Sequence, residues 1–165
     1  KIGAGAVTYP KLTLGTGAVV ASASTALTSV GGPYSTTIPL DDTIPQSSEG
    51  TQIQTLDFAL TNSGNKVKFC WTGHFSASAT TNVTAAIFVD SATSAAAAAV
   101  LTCSTSGHVY CLTVEGEHSP GDTSTHTYKI RIGGTAGNVY VNGNSGGRFL
   151  GGSMGCVFTC TEIEV

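Results

Sequence analysis

From residue 51 to residue 165, apolar and polar side chains alternate in short bursts separated by turn-forming residues. The clearest burst is 66–76, where Val67, Phe69, Trp71 and Phe75 point one way and Lys66, Lys68, Cys70, Thr72 and His74 the other. A period of two marks a strand with one face in a core and one in solvent. Trp71, the only tryptophan, is expected at the centre of that core. Residues 127–132 repeat the pattern, with Tyr128, Ile130 and Ile132 inside and Thr127, Lys129 and Arg131 outside. Residues 51–60 and 108–115 alternate in the same way, and 34–40, a segment from Val100, and 138–141 are shorter strand candidates. Residues 82–90 and 156–165 are apolar on both faces, as in strands covered on both sides.

The breaks between bursts are turns by composition. Asn62-Ser63-Gly64-Asn65, Pro120-Gly121 and Asn142-Gly143-Asn144 all carry residues that bend the chain, and Asn-Gly predicts a tight hairpin. The alanine run 95–99 favours helix but is too short to hold one, so a loop or single helical turn is expected there. Eight to ten short strands and no amphipathic helix predict an all-β antiparallel sandwich of the jelly-roll kind.

The segment 38–56, IPLDDTIPQSSEGTQIQTL, is read as the entry to that sandwich. Before it lies a leader of Gly, Ala, Ser, Thr and Val with little to bury, which cannot alone offset its ordering entropy. Its one apolar pulse is Val7, Tyr9, Leu12 and Leu14, broken by Pro10. The expected division is an extended stem or linker end over 1–33 and a head domain over 34–165. The leader reads as an interior segment, so the chain is expected to be the C-terminal part of a longer protein.

Charge narrows the function classes. Only 10% of residues are charged, against about a quarter in ordinary globular chains, and the formal net charge is -3. With seven Lys and Arg and no basic stripe, nucleic-acid binding is not expected. The longest apolar run, 95–101, is far short of the ~20 residues that span a bilayer, so no membrane insertion is expected either.

Five cysteines leave at least one unpaired within the chain. Cys103 and Cys111 flank a segment centred on Gly107 that reads as a hairpin, where a cross-strand disulfide is feasible. Cys156 and Cys160 share a strand face about 13 Å apart, too far to bond each other. Buried thiols acting as small hydrophobes are the simpler reading. Gly151-Gly152-Ser153-Met154-Gly155 matches the G-x-S-x-G elbow of hydrolases, but no Asp or His follows it, so a glycine-rich turn is expected. Glu115, Glu117, His118, Asp122 and His126 gather around one loop at no standard metal-ligand spacing. No metal, cofactor or catalytic centre is therefore expected. Loops on a rigid sandwich commonly carry binding, so the candidate binding residues are His118, Asp122 and His126 in one loop and Asn142, Asn144 and Arg148 in another.

Taken in order, IPLDDTIPQSSEGTQIQTL, NKVKFCWTGHFSAS, NVTAAIFVD, EGEHSPGDTSTHTYKIRIGG, VYVNGNSGGRFLGG and TCTEIEV resemble the C-terminal head domains of phage tail-fibre and related virion-spike proteins. The resemblance covers residues 38–165, and GAGAVTYPKLTLG looks like the stem segments that precede such heads. It implies a jelly roll similar to tumour-necrosis-factor or complement C1q heads, assembled as a homotrimer on the virion surface. It further implies non-covalent attachment to a host cell-surface glycan or protein, with the stem joined to other virion proteins. The five cysteines follow no pattern of that family. A physical reason for trimers stands beside it: strands apolar on both faces need a second cover, which sister copies around a threefold axis would supply. A structural head-fibre, decoration or trimerisation module without a ligand is the alternative. An enzyme acting on surface polysaccharide would need paired carboxylates facing a cleft, and the acids here are few.

Overall fold

The computed structural model describes residues 15–165. The apolar pulse at Val7, Tyr9, Leu12 and Leu14 lies outside the described residues, as does the first part of the expected stem. The described strands are β1 (Val19–Leu27), β2 (Gly31–Tyr34), β3 (Thr51–Ala59), β4 (Lys66–Ala77), β5 (Thr81–Val89), β6 (Ala97–Cys103), β7 (Tyr110–His118), β8 (Thr125–Gly134), β9 (Val139–Val141), β10 (Gly143–Asn144), β11 (Gly147–Arg148) and β12 (Cys156–Ile163).

The eight long strands pair in a nested order. The first pairs with the last (β1 with β12), the second with the seventh (β3 with β8), the third with the sixth (β4 with β7) and the fourth with the fifth (β5 with β6), all antiparallel. Two sheets result, β1-β12-β4-β7 and β3-β8-β5-β6. That is the jelly roll, a long antiparallel ribbon wrapped so that its two halves face each other. Because β7 lines one edge of β4 along its length, β12 and the short β9 share the other edge end to end, and β2 pairs β9 beyond.

Between the sheets sits the core predicted from the alternation. Val67, Phe69, Trp71 and Phe75 of β4 face Tyr128, Ile130 and Ile132 of β8, and all are buried. The Trp71 indole N–H donates to Gln54 Oε1 at 3.0 Å, and Gln54 Nε2 donates to the Thr25 carbonyl at 2.9 Å. This buried chain ties both sheets to the edge strand β1 and leaves neither polar group unpaired. Gly73 makes room for Trp71, since a Cβ there would lie 2.1 Å from the indole ring.

Several expectations need correction. The division at residue 33 falls inside the sandwich, because Val19–Leu27 is the edge strand β1. Its inward residues Ala21 and Ala23 are too small to register as an apolar stripe, yet they pack on the core once β12 supplies a backbone partner. The strand expected over 34–40 stops at Tyr34, and residues 35–50 form an irregular strap in which Pro39 and Pro45 offer no N–H to a ladder. The alanine run enters β6, where pairing with Ile87 to Ala85 overrides helix propensity. The strand from His108 is displaced to Tyr110–His118 in the same inside-outside phase, so Gly116, Glu117 and His118 are strand rather than loop.

Two further expectations fail for topological reasons. Cys103 and Cys111 form no bridge, and all five cysteines are free thiols. β6 and β7 belong to opposite sheets, so the segment between them crosses the sandwich and is not a hairpin; Cys103 is buried and Cys111 exposed. Burial pushes the Cys103 thiol up to about 11. The second apolar face of β5 is covered by the chain itself: Ala86 and Phe88 pack under Ile38 of the strap, with Ala95 alongside. Arg131 fastens the strap by donating to the carbonyls of Glu49 at 2.6 Å and Gly50 at 2.8 Å. That strand therefore gives no reason for a trimer. The outer face of β12, with Val157 45% exposed, keeps one.

Candidate functional site

One end of the sandwich gathers His118, Asp122 and His126, three of the six residues proposed from sequence. β7 ends on His118, β8 begins with His126 in its second position, and the six-residue connection between the strands carries Asp122. Two residues not singled out from sequence complete the cluster. Asp90, at a left-handed φ of 50° just past β5, presents Oδ2 to His126 Nδ1 at 2.7 Å. Tyr128, read as core, places its hydroxyl 3.0 Å from His118 Nδ1. Tyr128 could have been suspected, because a buried phenol needs a polar partner. Asp90 lies 36 residues from His126, and no local pattern points to it.

The electrostatics separate the two histidines. His126 Nε2 lies 3.3 Å from Asp122 Oδ1, so both ring nitrogens face carboxylates. The Asp90 hydrogen bond, which outweighs burial, and the weaker one to Asp122 raise its pKa above the ordinary histidine value. As an imidazolium it donates on both sides and cross-links β5, β8 and the loop between β7 and β8. His118 is shifted down, first by burial and then by the charge on His126; the two rings meet edge to face with centroids 5.5 Å apart. Asp90 is held low by the Thr127 backbone N–H and then by His126, and Asp122 chiefly by the Ser124 N–H.

The hydroxyl that meets these rings is the buried Tyr128 phenol on His118, no Ser, Thr or Cys side chain is bonded to either ring, and no group of three or more His, Cys, Asp or Glu among the described residues is placed to hold a metal ion. The cluster is a clamp with some polar surface on its outer side.

Asn142, Asn144 and Arg148 are not part of it. β4 sets Val67 opposite His118 and Phe75 opposite Val141, so the two groups lie at opposite ends of the sandwich, about 26 Å apart along the strand. Asn142 is buried: its Nδ2 donates to the carbonyls of Leu27 at 2.6 Å and Ser29 at 3.0 Å, and its Oδ1 accepts from the Cys156 thiol. It shapes the corner between β9 and β10 and cannot meet a receptor. The hairpin tip falls instead at Ser145 and Gly146, because Asn144 pairs Gly147. Asn144 is half-buried and accepts from the Gly146 N–H, while Arg148 is exposed.

The G-x-S-x-G segment is a 3₁₀ turn followed by β12. Ser153 Oγ donates to the Leu150 carbonyl at 2.8 Å, and His74, which lines the same shallow cavity, turns Nδ1 to the Gly155 carbonyl. Neither is arranged as a nucleophile and its base.

No family model matches the chain, and no curated protein matches it.

Proposed function

We propose that this chain is the head of a virion fibre or spike, which attaches non-covalently to a host cell surface as a homotrimer. The observation that carries the reading is the uncovered outer face of the first sheet. Ser22, Thr161, Lys68 and Glu117 make one row across it, Ser24, Thr159, Cys70 and Glu115 the next, and Ala26, Val157, Thr72 and Thr113 a third. Apart from Lys68, Glu115 and Glu117 towards the β7 side, these side chains are short and lose little rotamer freedom on contact, so the β1–β12 part of the face suits close packing against another copy of the chain. The ordered series of motifs supplies the setting, on the virion surface with the stem joined to other virion proteins.

The mechanism is trivalent attachment without chemistry, in which three weak sites on one rigid body gain avidity when geometry lets them engage together. Arg148 and Asn144 at one end, and Asp122 and the histidines at the other, are the candidate contacts. The exposed Arg148 guanidinium suits a carboxylate-bearing sugar. One observation favours a second reading, a structural module with no ligand of its own. The ring nitrogens of His126 and both Asp90 oxygens are already used within the chain, which leaves that cluster little to offer a receptor.

Light scattering on the intact protein tests both readings. A mass three times the 16.6 kDa of one chain is expected, and a monomer overturns both. Adsorption of the labelled trimer to candidate host cells then separates them. Arg148→Ala or Asp122→Ala lowers adsorption if the head attaches, and neither changes it if the head is structural.

A further inference from the structure

The strap leaves a groove along the outer side of the second sheet, lined by none of the candidate attachment residues. Two adjoining cavities of about 350 and 150 Å³ share Asp41, Thr43, Pro45 and Ala98. The walls are short and aliphatic, with Pro39, Leu40 and Ile44 on the strap side and Ala97, Ala99 and Val100 on β6. Leu40, Ile44 and Val100 are 55%, 59% and 46% exposed. A single exposed apolar side chain is ordinary, but three around one groove make a patch.

Thr84, which is 5% exposed, lines the smaller cavity together with Asp41. Its hydroxyl is the one buried side-chain polar atom among the described residues with no hydrogen-bond partner. An unpaired buried hydroxyl carries a desolvation cost that a ligand group able to bond it would recover. Asp41 lines both cavities and Asp42 the larger one, and neither takes part in an ion pair among the described residues. Asp41 Oδ1 accepts from the Thr43 N–H and hydroxyl, which fixes the carboxylate and leaves Oδ2 without a hydrogen bond among the described residues.

This chemistry selects its ligand. No Lys, Arg or His lines the groove, so a phosphate or carboxylate would meet only like charge. No aromatic ring lines it either, so a sugar has no platform to stack on. A short aliphatic trough with two unpaired carboxylates and an unpaired hydroxyl matches an alkylammonium group. Such a group has methylenes for the walls and three N–H donors for the oxygens. We propose that the groove binds an alkylammonium group, the lysine side chain of a protein partner. Its stem lies along the alanine and proline walls, and its ammonium is shared between Asp41 and the Thr84 hydroxyl. The site uses no residue of the attachment reading and stands or falls without it.

Methyl and amide NMR spectra of the whole chain, titrated with Nα-acetyl-lysine N-methylamide, test this. Saturable shifts confined to Leu40, Ile44, Thr84, Ala98 and Val100 are expected, with a Kd of about 1 mM for so small a probe. The uncharged norleucine counterpart should bind about tenfold more weakly, as should lysine to Asp41→Asn. Thr84→Val should weaken binding while leaving Tm unchanged or raised, because it removes an unpaired hydroxyl without changing shape. The proposal is overturned if lysine produces no saturable shift, or if norleucine or Asp41→Asn binds equally well. Inorganic phosphate or N-acetylglucosamine shifting the same resonances would overturn it too.

Discussion

The two outer faces of the sandwich are built by the same rule and end in opposite conditions. On the second sheet, Thr84, Ala86 and Phe88 alternate outward from β5 and lie beneath the strap. On the first sheet, Thr159 and Val157 alternate outward from β12 and nothing in the described chain covers them. Side-chain bulk explains the contrast. Phe88 presents a large apolar area that must be removed from water, and Ile38 and Ala95 do so within the chain. The first sheet offers methyls, and hydroxyls that hydrogen-bond one another at the surface, as Ser22 does with Thr161 at 3.2 Å and Thr72 with Thr113 at 2.9 Å. Within one chain, then, one face is closed by the strap and the other is left open among the described residues.

The strongest way to break the comparison is to empty the covered face. Phe88→Ala removes a fully buried ring and should cost about 3–5 kcal/mol in urea or thermal unfolding. Amide exchange in the strap, at Ser47 and Gly50 above all, should rise with it, because Ser47 N–H is bonded to the Thr93 carbonyl beside the strap and Gly50 N–H to that of Thr37 within it. A small loss with an unchanged strap would mean that its hydrogen bonds, from Arg131 and to residues 93–95, hold the cover without Phe88.

On the open face the matching change should leave folding almost untouched. Thr159→Arg sits in the row between Ser24 and Cys70, half-exposed, where a surface substitution shifts stability within about 0.5 kcal/mol. If that face packs against copies of the chain, three guanidinium groups at the contact should drop the scattering mass to the 16.6 kDa of one chain. A trimer that survives the substitution would place the contact elsewhere.

These faces also mark where sequence reasoning stopped. Alternation assigned Val67, Phe69, Trp71, Tyr128 and Ile130 to the core, because bulky residues at period two have one reading on a pleated strand. It gave no hint of β1, whose inward alanines carry too little area to stand out from a linker. It showed that Phe88 needed a cover but not which segment supplied it, since Ile38 is fifty residues away and the strap has no regular structure. The candidate site was legible in part. His118, Asp122 and His126 are close in sequence and meet in space. Asn142 was misread because its amide is spent on the carbonyls of Leu27 and Ser29, contacts more than a hundred residues away in the chain.

The smallest effect expected lies at the histidine cluster, and its sign differs for the two rings. His126 has a folded pKa above the ordinary 6.5, so the stability it contributes is complete below pH 6.5 and is lost as pH rises through the raised value. His118 has a folded pKa below 6.5, so its contribution is complete above that pH and is lost as pH falls through the lowered value. Asp90 and Asp122 are held below the usual carboxylate range, so both stay ionised across this window. Urea midpoints from about pH 5 to 9 should therefore pass through a shallow maximum between the two folded pKa values, near the unperturbed histidine range. His126→Gln should flatten the alkaline side and His118→Gln the acid side. Asp90→Asn should move the alkaline limb to lower pH without moving the acid limb by more than the loss of one distant charge allows. A profile with no maximum, or one whose alkaline limb survives His126→Gln, would mean that His126 is not the cation that joins these three segments.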